Sequence, residues 1–202
     1  MNELITSPLK RLFLDELADR LDAEKRVIRA LPRMKRTATC EQLQRLLQLQ
    51  LRGAAGQVRK LEAIFKSFEV KPRVKKCAAT VGLLEENDEI LMDYKGSPAL
   101  SAALISVARK IEHQAIASYG CLRDWAALLG NQPASVLLSG ILAERLAANE
   151  SLGELARTRS NNEALVERKD PQSGGRGMAG RFPNAGRGLR PMNLGRRDSV
   201  LT

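Results

Sequence analysis

The chain has 202 residues, which is long enough for one domain with a sizeable core, and its formal net charge is +10. Hydrophobic residues make up 44% of it and aromatic residues only 3%, a composition that favours helices packed on helices over packed sheets. The longest apolar runs are too short to cross a bilayer, and the N-terminal stretch has acids where a signal peptide would be apolar. We therefore expect a cytoplasmic protein without membrane contact.

The four long amphipathic stretches of the sequence predict four long helices. Ser7 followed by Pro8 is typical of a helix start, and Pro32 is expected to kink or end the first helix. Thr39 with Gln42 resembles a capping box that opens the second. The third long helix is expected after Ser97-Pro98 and the fourth after Asn131, with helicity fading near Arg159.

A shorter helix is expected between the second and third long ones, from Cys77 to about Tyr94, with Gly96 ending it. Gly130 is likewise expected to end the third long helix. The segment Gly53-Ala54-Ala55-Gly56 is unusually small for a helix interior, where each glycine costs about 1 kcal/mol relative to alanine. We expect a closely packed neighbour helix to compensate. Together these elements predict an all-α, ferritin-like four-helix bundle with a short crossover helix, over residues 1–159.

The C-terminal residues differ in composition from the rest of the chain. Residues 170–202 contain six Arg and two Asp, and this stretch is rich in Gly and Pro without an amphipathic period. We therefore predict that residues 160–202 form a disordered, basic, Gly/Arg-rich tail. Its scattered Gly-Arg pairs are typical of weak electrostatic contact with nucleic acid, although only Phe182 could stack on a base. The alternative is a solvated charged tail.

Three glutamates fall on the inward stripes of three different predicted helices: Glu24, Glu112 and Glu144. An ionised carboxylate in a core is costly unless it is paired, so each needs a cation, a hydrogen-bond donor, a proton or a path to water. Helical bundles that bind two metals point glutamates inward in this way, and carboxylates with imidazole suit iron or manganese. The alternative is that each glutamate lies at the boundary of the core.

His113 is the chain's one histidine and directly follows Glu112. Adjacent residues on a helix point about 100° apart, so both cannot face one central site squarely. A polar contact with a partner helix or a surface position is the alternative to a ligand role for His113. Cys40, Cys77 and Cys121 are odd in number and contain no C-x-x-C, which argues against a zinc knuckle or a disulfide framework.

Several segments resemble the ferritin-like YciE/YciF family: "LFLDEL…DAEK…ALP", "GQVRKLEAIF", "KKC…GLLEE" and "IEH…IASYG". The resemblance covers about residues 9–157. It implies a helical bundle with a rubrerythrin-like two-metal centre, often dimeric and associated with stress. By this resemblance Glu24, Glu112, His113 and Glu144 match acidic or histidine positions of the metal centre.

Other positions depart from the family's pattern. Leu51 to Ala55 stand where the second helix usually carries ligands, and Val81 and Ala115 replace glutamates. Arg145 and Asn149 stand where the last helix usually has acids. Two-metal bundle sites use about six protein ligands, so we expect iron or manganese at reduced stoichiometry or none. We also hypothesise that Arg52 pairs with the inward glutamates and takes over the metal's charge-neutralising role.

Three functions remain open from the sequence. The first is a stress-associated protein of the YciE/YciF type, a homodimer with a degenerate metal site and little or no redox catalysis. The second is a working di-iron or di-manganese protein that uses Glu24, Glu112, His113 and Glu144. The third is a nucleic-acid-associated bundle that acts through its basic tail.

Overall fold

The computed structural model describes residues 7–165, which are helical apart from short connections. The remaining residues, including most of the predicted basic tail and Phe182, lie outside the described residues. The four long helices are α1 (Pro8–Thr37), α2 (Glu41–Ser67), α4 (Leu100–Leu128) and α5 (Gln132–Leu155), and α3 (Ala78–Asp93) is the short crossover helix. A π-helical turn (Ala156–Ser160) and α6 (Asn161–Ala164) follow, so helical structure continues five residues beyond the predicted boundary at 159.

The long helices pack as a closed ring. α1 contacts α2 and α4, α5 contacts α4 and α2, and α3 lies against α1 and α4. This arrangement confirms the predicted all-α bundle with a short helix in the crossover. Within residues 7–165 no helix has a stretch that is long and apolar enough to span a membrane.

The helix ends follow several of the predicted signals but not all of them. The Ser7 hydroxyl accepts a hydrogen bond from the Lys10 amide at 3.1 Å, which confirms the first cap. Gly96 and Gly130 have φ of 76° and 74°, the left-handed conformation that ends helices and favours glycine. The capping box at Thr39 is wrong, because Cys40 is the N-cap and the Thr39 hydroxyl pairs with Ser101 instead.

Pro32 does not end α1, which continues to Thr37. The predicted start of α4 is also displaced, since the helix begins at Leu100 and not directly after Ser97. The Ser97 hydroxyl accepts a hydrogen bond from the Ala99 amide at 3.1 Å, and this turn precedes the helix. Both differences concern helix ends, and neither changes which helices pack together.

The buried residues form two apolar clusters, one towards each end of the bundle. One cluster includes Leu31, Met34, Leu43, Leu47, Leu104 and Leu152. The other includes Phe13, Leu17, Leu61, Phe65, Leu122 and Ile141. On each long helix the sequence between these two groups carries buried polar residues, among them Glu24, Gln57, Glu112 and Arg145. A polar layer therefore lies between two apolar halves of the core.

The small segment in α2 is not explained by close packing at its glycines. A Cβ atom added to Gly53 would have its nearest neighbour, the Gln57 Nε2 atom, at 4.0 Å, and one added to Gly56 would meet Arg59 at 3.8 Å. The expectation of a closely packed neighbour at these two positions is therefore wrong. Gly53 instead lines a cavity of about 310 Å³ between α2 and α5, whose wall also includes Arg145 and Ala148.

Replacing Gly53 with alanine should therefore stabilise the protein. We expect Gly53→Ala to raise the free energy of unfolding by about 1 kcal/mol, because the added methyl group meets no close contact and alanine favours the helix. Urea denaturation followed by circular dichroism measures this. Gly96→Ala is the control and should destabilise, since Gly96 has positive φ. A loss of stability in Gly53→Ala would show that the glycine is needed for packing after all.

Candidate functional site

The centre of the polar layer is the guanidinium of Arg145 on α5, a residue only 3% exposed. Its Nη2 atom donates to the Glu24 Oε2 atom on α1 at 2.5 Å and also to the Gln57 side-chain oxygen on α2. Its Nη1 atom donates to the Glu112 Oε1 atom on α4 at 3.1 Å. One side chain on α5 thus binds all three of the other long helices.

Arg20 supplies a second buried guanidinium to the same layer. Its Nη2 atom donates to the Glu24 Oε1 atom at 3.0 Å, and its Nη1 atom donates to the Gln114 side-chain oxygen at 2.5 Å. It also lies 5.2 Å from the centre of the Tyr119 ring, and the Tyr119 hydroxyl donates to the Glu24 Oε1 atom at 2.7 Å. Both carboxylate oxygens of Glu24 are therefore occupied by donors.

Formal charges in the layer balance, with two guanidinium groups and two carboxylates. Burial alone would raise the pKa of Glu24, but the charges of Arg145 and Arg20 outweigh it and hold that pKa below its ordinary value. Burial would lower the pKa of Arg145, yet Glu24 and Glu112 raise it above its ordinary value. Glu24 and Arg145 are accordingly an ionised pair. Burial and the charge of Glu24 raise the pKa of Tyr119, which stays a neutral donor.

Glu112 is less fully satisfied than Glu24. Its Oε1 atom accepts hydrogen bonds from Arg145 and from the Gln50 amide at 3.1 Å. Its Oε2 atom is buried and has no hydrogen-bond partner among the described residues. Burial raises the pKa of Glu112 above its ordinary value, because the opposing charge of Arg145 does not fully compensate. Of the two buried carboxylates, Glu112 is the one that protonates more readily.

The structure brings together only two of the four residues predicted as metal ligands. Glu24 and Glu112 meet on Arg145, as described above. The side chain of Glu144 is 48% exposed and accepts hydrogen bonds from Lys60 at 2.7 Å and Gln57 at 3.0 Å. His113 is exposed and lies outside the layer. The placement of Glu144 on the inward stripe of α5 was wrong by one residue, since its neighbour Arg145 is buried.

The hypothesis that Arg52 neutralises the inward glutamates is also wrong. Arg52 is exposed, on the side of α2 opposite its buried residues. The neutralising guanidinium groups come from α5 and α1, through Arg145 and Arg20. The inward glutamates are thus paired with arginines, but not with Arg52.

Comparison with known proteins identifies the family. The model of a domain of unknown function, DUF892, matches residues 8–165. The chain belongs to the DUF892 family. It is 34% identical over 157 residues to Protein YciF of Escherichia coli strain K12, an alignment that covers 77% of this chain and 95% of that protein.

Solved structures agree with this assignment. The crystal structure of the E. coli stress protein YciF superimposes with a TM-score of 0.74 at 33% identity, covering 77% of this chain and 98% of that one. YcfI from Rhodopseudomonas palustris gives a TM-score of 0.69 at 33% identity, covering 76% and 98% of the two chains. A protein from Xanthomonas campestris shares the fold at 17% identity, with a TM-score of 0.60 and coverage of 77% and 94%.

Sequence reasoning on this DUF892 chain missed Arg20 and Gln57 and gave Arg145 no role beyond a departure from the YciE/YciF pattern. A signal for Arg20 was present, because Phe13, Leu17, Arg20 and Glu24 recur at helical spacings of four, three and four residues. Arg145 likewise lies four residues after Ile141 and seven before Leu152. A cation on the apolar stripe of one helix, facing glutamates on the stripes of others, is the pattern that predicts a buried ion-pair layer.

The donor set of the polar layer does not fit the two-metal centre that the YciE/YciF resemblance implies. Among the described residues, no group of three or more His, Cys, Asp or Glu side chains is arranged to hold a metal ion. Both oxygens of Glu24 already accept from guanidinium or hydroxyl donors, and a cationic group lies between Glu24 and Glu112. A metal ion there would face the positive charge of Arg145, which repels it.

Removing the central guanidinium should destabilise the protein strongly. We expect Arg145→Met to lower the free energy of unfolding by about 3–5 kcal/mol, because it leaves two buried carboxylates without their shared partner. Arg52→Ala is the control and should change it by less than about 0.5 kcal/mol, since Arg52 is exposed. Urea denaturation of both variants measures the difference. Equal effects would contradict a central role for Arg145.

The two buried glutamates should affect the pH dependence of stability in opposite directions. The stability that Glu24 contributes is present above its ordinary pKa of 4.5 and is lost as pH falls through its lower folded-state pKa. The difference in the free energy of unfolding between wild type and Glu24→Gln should therefore become smaller as the pH is lowered. The folded-state pKa of Glu112 is raised above 4.5, so wild type loses stability relative to Glu112→Gln as pH rises through it.

Urea denaturation of wild type and both variants from about pH 3 to pH 7 tests these signs. Glu144→Gln serves as a control at a half-exposed carboxylate, where solvent screening keeps the effect small. If the free energies of unfolding of Glu24→Gln and Glu112→Gln changed with pH in parallel, this would contradict the claim that the two carboxylates have different environments.

Proposed function

We propose that this DUF892 protein is a stress-associated protein of the YciF type, with a degenerate metal site and little or no redox catalysis. The observation that carries the proposal is the position of Arg145, whose guanidinium binds both Glu24 and Glu112 in the centre of the bundle. An organic cation fixed by the chain supplies the positive charge that a bound metal would otherwise supply to these carboxylates.

The relatives support the biological setting of the proposal. YciF of E. coli is described as a stress protein, and YcfI of R. palustris is described as a candidate structural protein. A scaffold role suits a core in which the polar side chains bind one another. The proposal extends these descriptions to this chain on the basis of 33–34% identity over most of its length. Cytoplasmic location and a homodimeric state belong to the same proposal.

Two other functions stay as alternatives. A working di-iron or di-manganese protein would use Glu24 and Glu112 after Arg145 had moved aside, with His113 and Glu144 reoriented towards them. A nucleic-acid-associated protein would act through the basic tail, which lies outside the described residues. The polar layer favours the scaffold over the first alternative, because Arg145 makes three buried contacts that metal binding would have to break.

Metal content per chain tests the proposal directly. Purified protein is incubated with ferrous iron, and separately with manganese, then desalted and analysed by elemental mass spectrometry. We expect far less than one metal ion per chain, because the carboxylates are already paired with guanidinium groups. Close to two metal ions per chain would overturn the proposal and favour the enzyme.

A matched variant shows whether the guanidinium is what opposes the metal. Arg145→Glu removes that charge and places a third carboxylate beside Glu24 and Glu112, so it should bind more metal than wild type. Arg52→Glu carries the same substitution at an exposed position and should behave as wild type does. If wild type, Arg145→Glu and Arg52→Glu all bound the same high amount of metal, this would likewise contradict the proposal.

A further inference from the structure

The outer face of α2 carries four cations at intervals of seven residues: Arg45, Arg52, Arg59 and Lys66. All four are exposed, and we call this row the basic ridge. Seven residues are nearly two turns of helix, so successive members lie about 10.5 Å apart and the row is about 32 Å long. Between them on this outer face lie the neutral residues Gln48, Ala55 and Ala63, the exposed Leu49, and one acid, Glu62, which follows Arg59 by three residues and precedes Lys66 by four.

Counter-charges for the basic ridge are few. Arg45 pairs with Glu41 at 2.7 Å, but both side chains are more than 70% exposed, and such a pair is weak. Arg52, Arg59 and Lys66 form no ion pair within residues 7–165. Surface helices commonly mix both signs of charge at three- and four-residue spacings, which would neutralise such a row. Glu62, the one acid between the first and last members of the ridge, pairs with Lys25 of α1, so the ridge keeps a net positive charge.

The neighbouring part of α1 extends the same positive surface. Residues 25–37 contain six Lys or Arg and no acid, and three of the six pair with acids elsewhere: Lys25 with Glu62, Arg26 with Asp22 and Arg33 with Asp88. This part of α1 joins α2 through a Lys25–Glu62 ion pair and a Lys35–Gln48 hydrogen bond, so the two helices share an outer face. Arg29 and Arg36 are exposed there and make no ion pair within the described residues. Two adjacent helices thus contribute to one broad basic face.

We propose that the basic ridge, together with Arg29 and Arg36, binds the phosphate backbone of duplex DNA without reading its sequence. A row about 32 Å long matches about one turn of B-form duplex, which has a charge every 1.7 Å along its axis. The ridge has no aromatic side chain on which an unpaired base could stack, so its chemistry favours a duplex over a single strand. One large apolar side chain, Leu49, is 60% exposed beside the ridge between Arg45 and Arg52, but a single leucine without a continuous apolar face is too little to hold a helix in a membrane surface.

This surface is separate from the polar layer, and none of its residues belongs to the C-terminal tail. Its members lie on the side of α2 opposite the buried residues Leu47, Ala54 and Leu61. DNA binding by the ridge would therefore leave the metal content of the protein unchanged, and failure of either proposal would not affect the other.

The experiment measures binding of the full-length chain to a labelled duplex of about 20 base pairs by fluorescence anisotropy, between about 50 and 200 mM salt. The ridge variant carries Arg45→Gln, Arg52→Gln, Arg59→Gln and Lys66→Gln. The matched control carries Arg176→Gln, Arg181→Gln, Arg187→Gln and Arg190→Gln, so both lose four positive charges. Thermal melting checks that each variant is folded, which we expect because the ridge residues are exposed.

We expect the ridge variant to bind at least about tenfold more weakly at the lowest salt, and its plot of log affinity against log salt to be shallower by up to about 3.6. The control should retain most of the affinity and most of the slope. No binding of wild type to the duplex would overturn the proposal. So would a ridge variant that binds as wild type does, or a control that loses as much affinity as the ridge variant, which would assign the binding to the tail.

Two further arms distinguish other anionic partners. A single strand of the same length and vesicles that contain phosphatidylglycerol are tested under the same salt conditions. Weaker binding to both than to the duplex supports the proposal. Tighter binding to the single strand or to the vesicles would overturn it and assign the ridge to that partner.

Discussion

The buried guanidinium of Arg145 is the interaction on which the centre of this bundle depends. Two carboxylates, Glu24 and Glu112, enter the core from different helices, and neither could remain ionised there alone. Arg145 binds both, and Arg20 adds a second positive charge on Glu24. These contacts depend on one another, because removing either the arginines or the carboxylates leaves the opposite charges buried and unpaired. Such a layer need not add net stability compared with an apolar core of the same shape.

What the layer does provide is a defined register for α5. Rotating that helix by one residue would turn Arg145 away and bring Glu144 towards Glu24 and Glu112. Three carboxylates would then face one another without a cation, which is strongly unfavourable in a core. The Leu and Ile side chains of the two apolar clusters could pack in several alignments of the helices, but the buried charges are paired in only one of these alignments. The polar layer therefore selects one alignment of the four helices.

Periodicity in the sequence predicted the four long helices and the crossover helix, because each long helix buries one clear stripe. It also predicted that Glu24 and Glu112 are buried. Periodicity did not show which of Glu144 and Arg145 faces the core. Adjacent residues on a helix point about 100° apart, and an apolar stripe drifts by about 20° per heptad. The choice between them is made by Glu24, which is 121 residues away in sequence and carries the opposite charge. The pattern within α5 alone does not contain that information, and the same holds for Gln57 on α2, whereas Arg20 lies on the apolar stripe of its own helix.

The redundancy of the two arginines has a consequence for how such a core can change during evolution. Because Arg20 already pairs with Glu24, a chain that acquires or loses Arg145 never leaves Glu24 without a cation. Glu112 has a raised pKa and can take up a proton when its partner is absent. Loss of Arg145 is therefore costly chiefly at Glu112, which must take up a proton or stay charged without its cation. Arg20, one turn before Glu24 on α1, keeps the other carboxylate paired along such a mutational path.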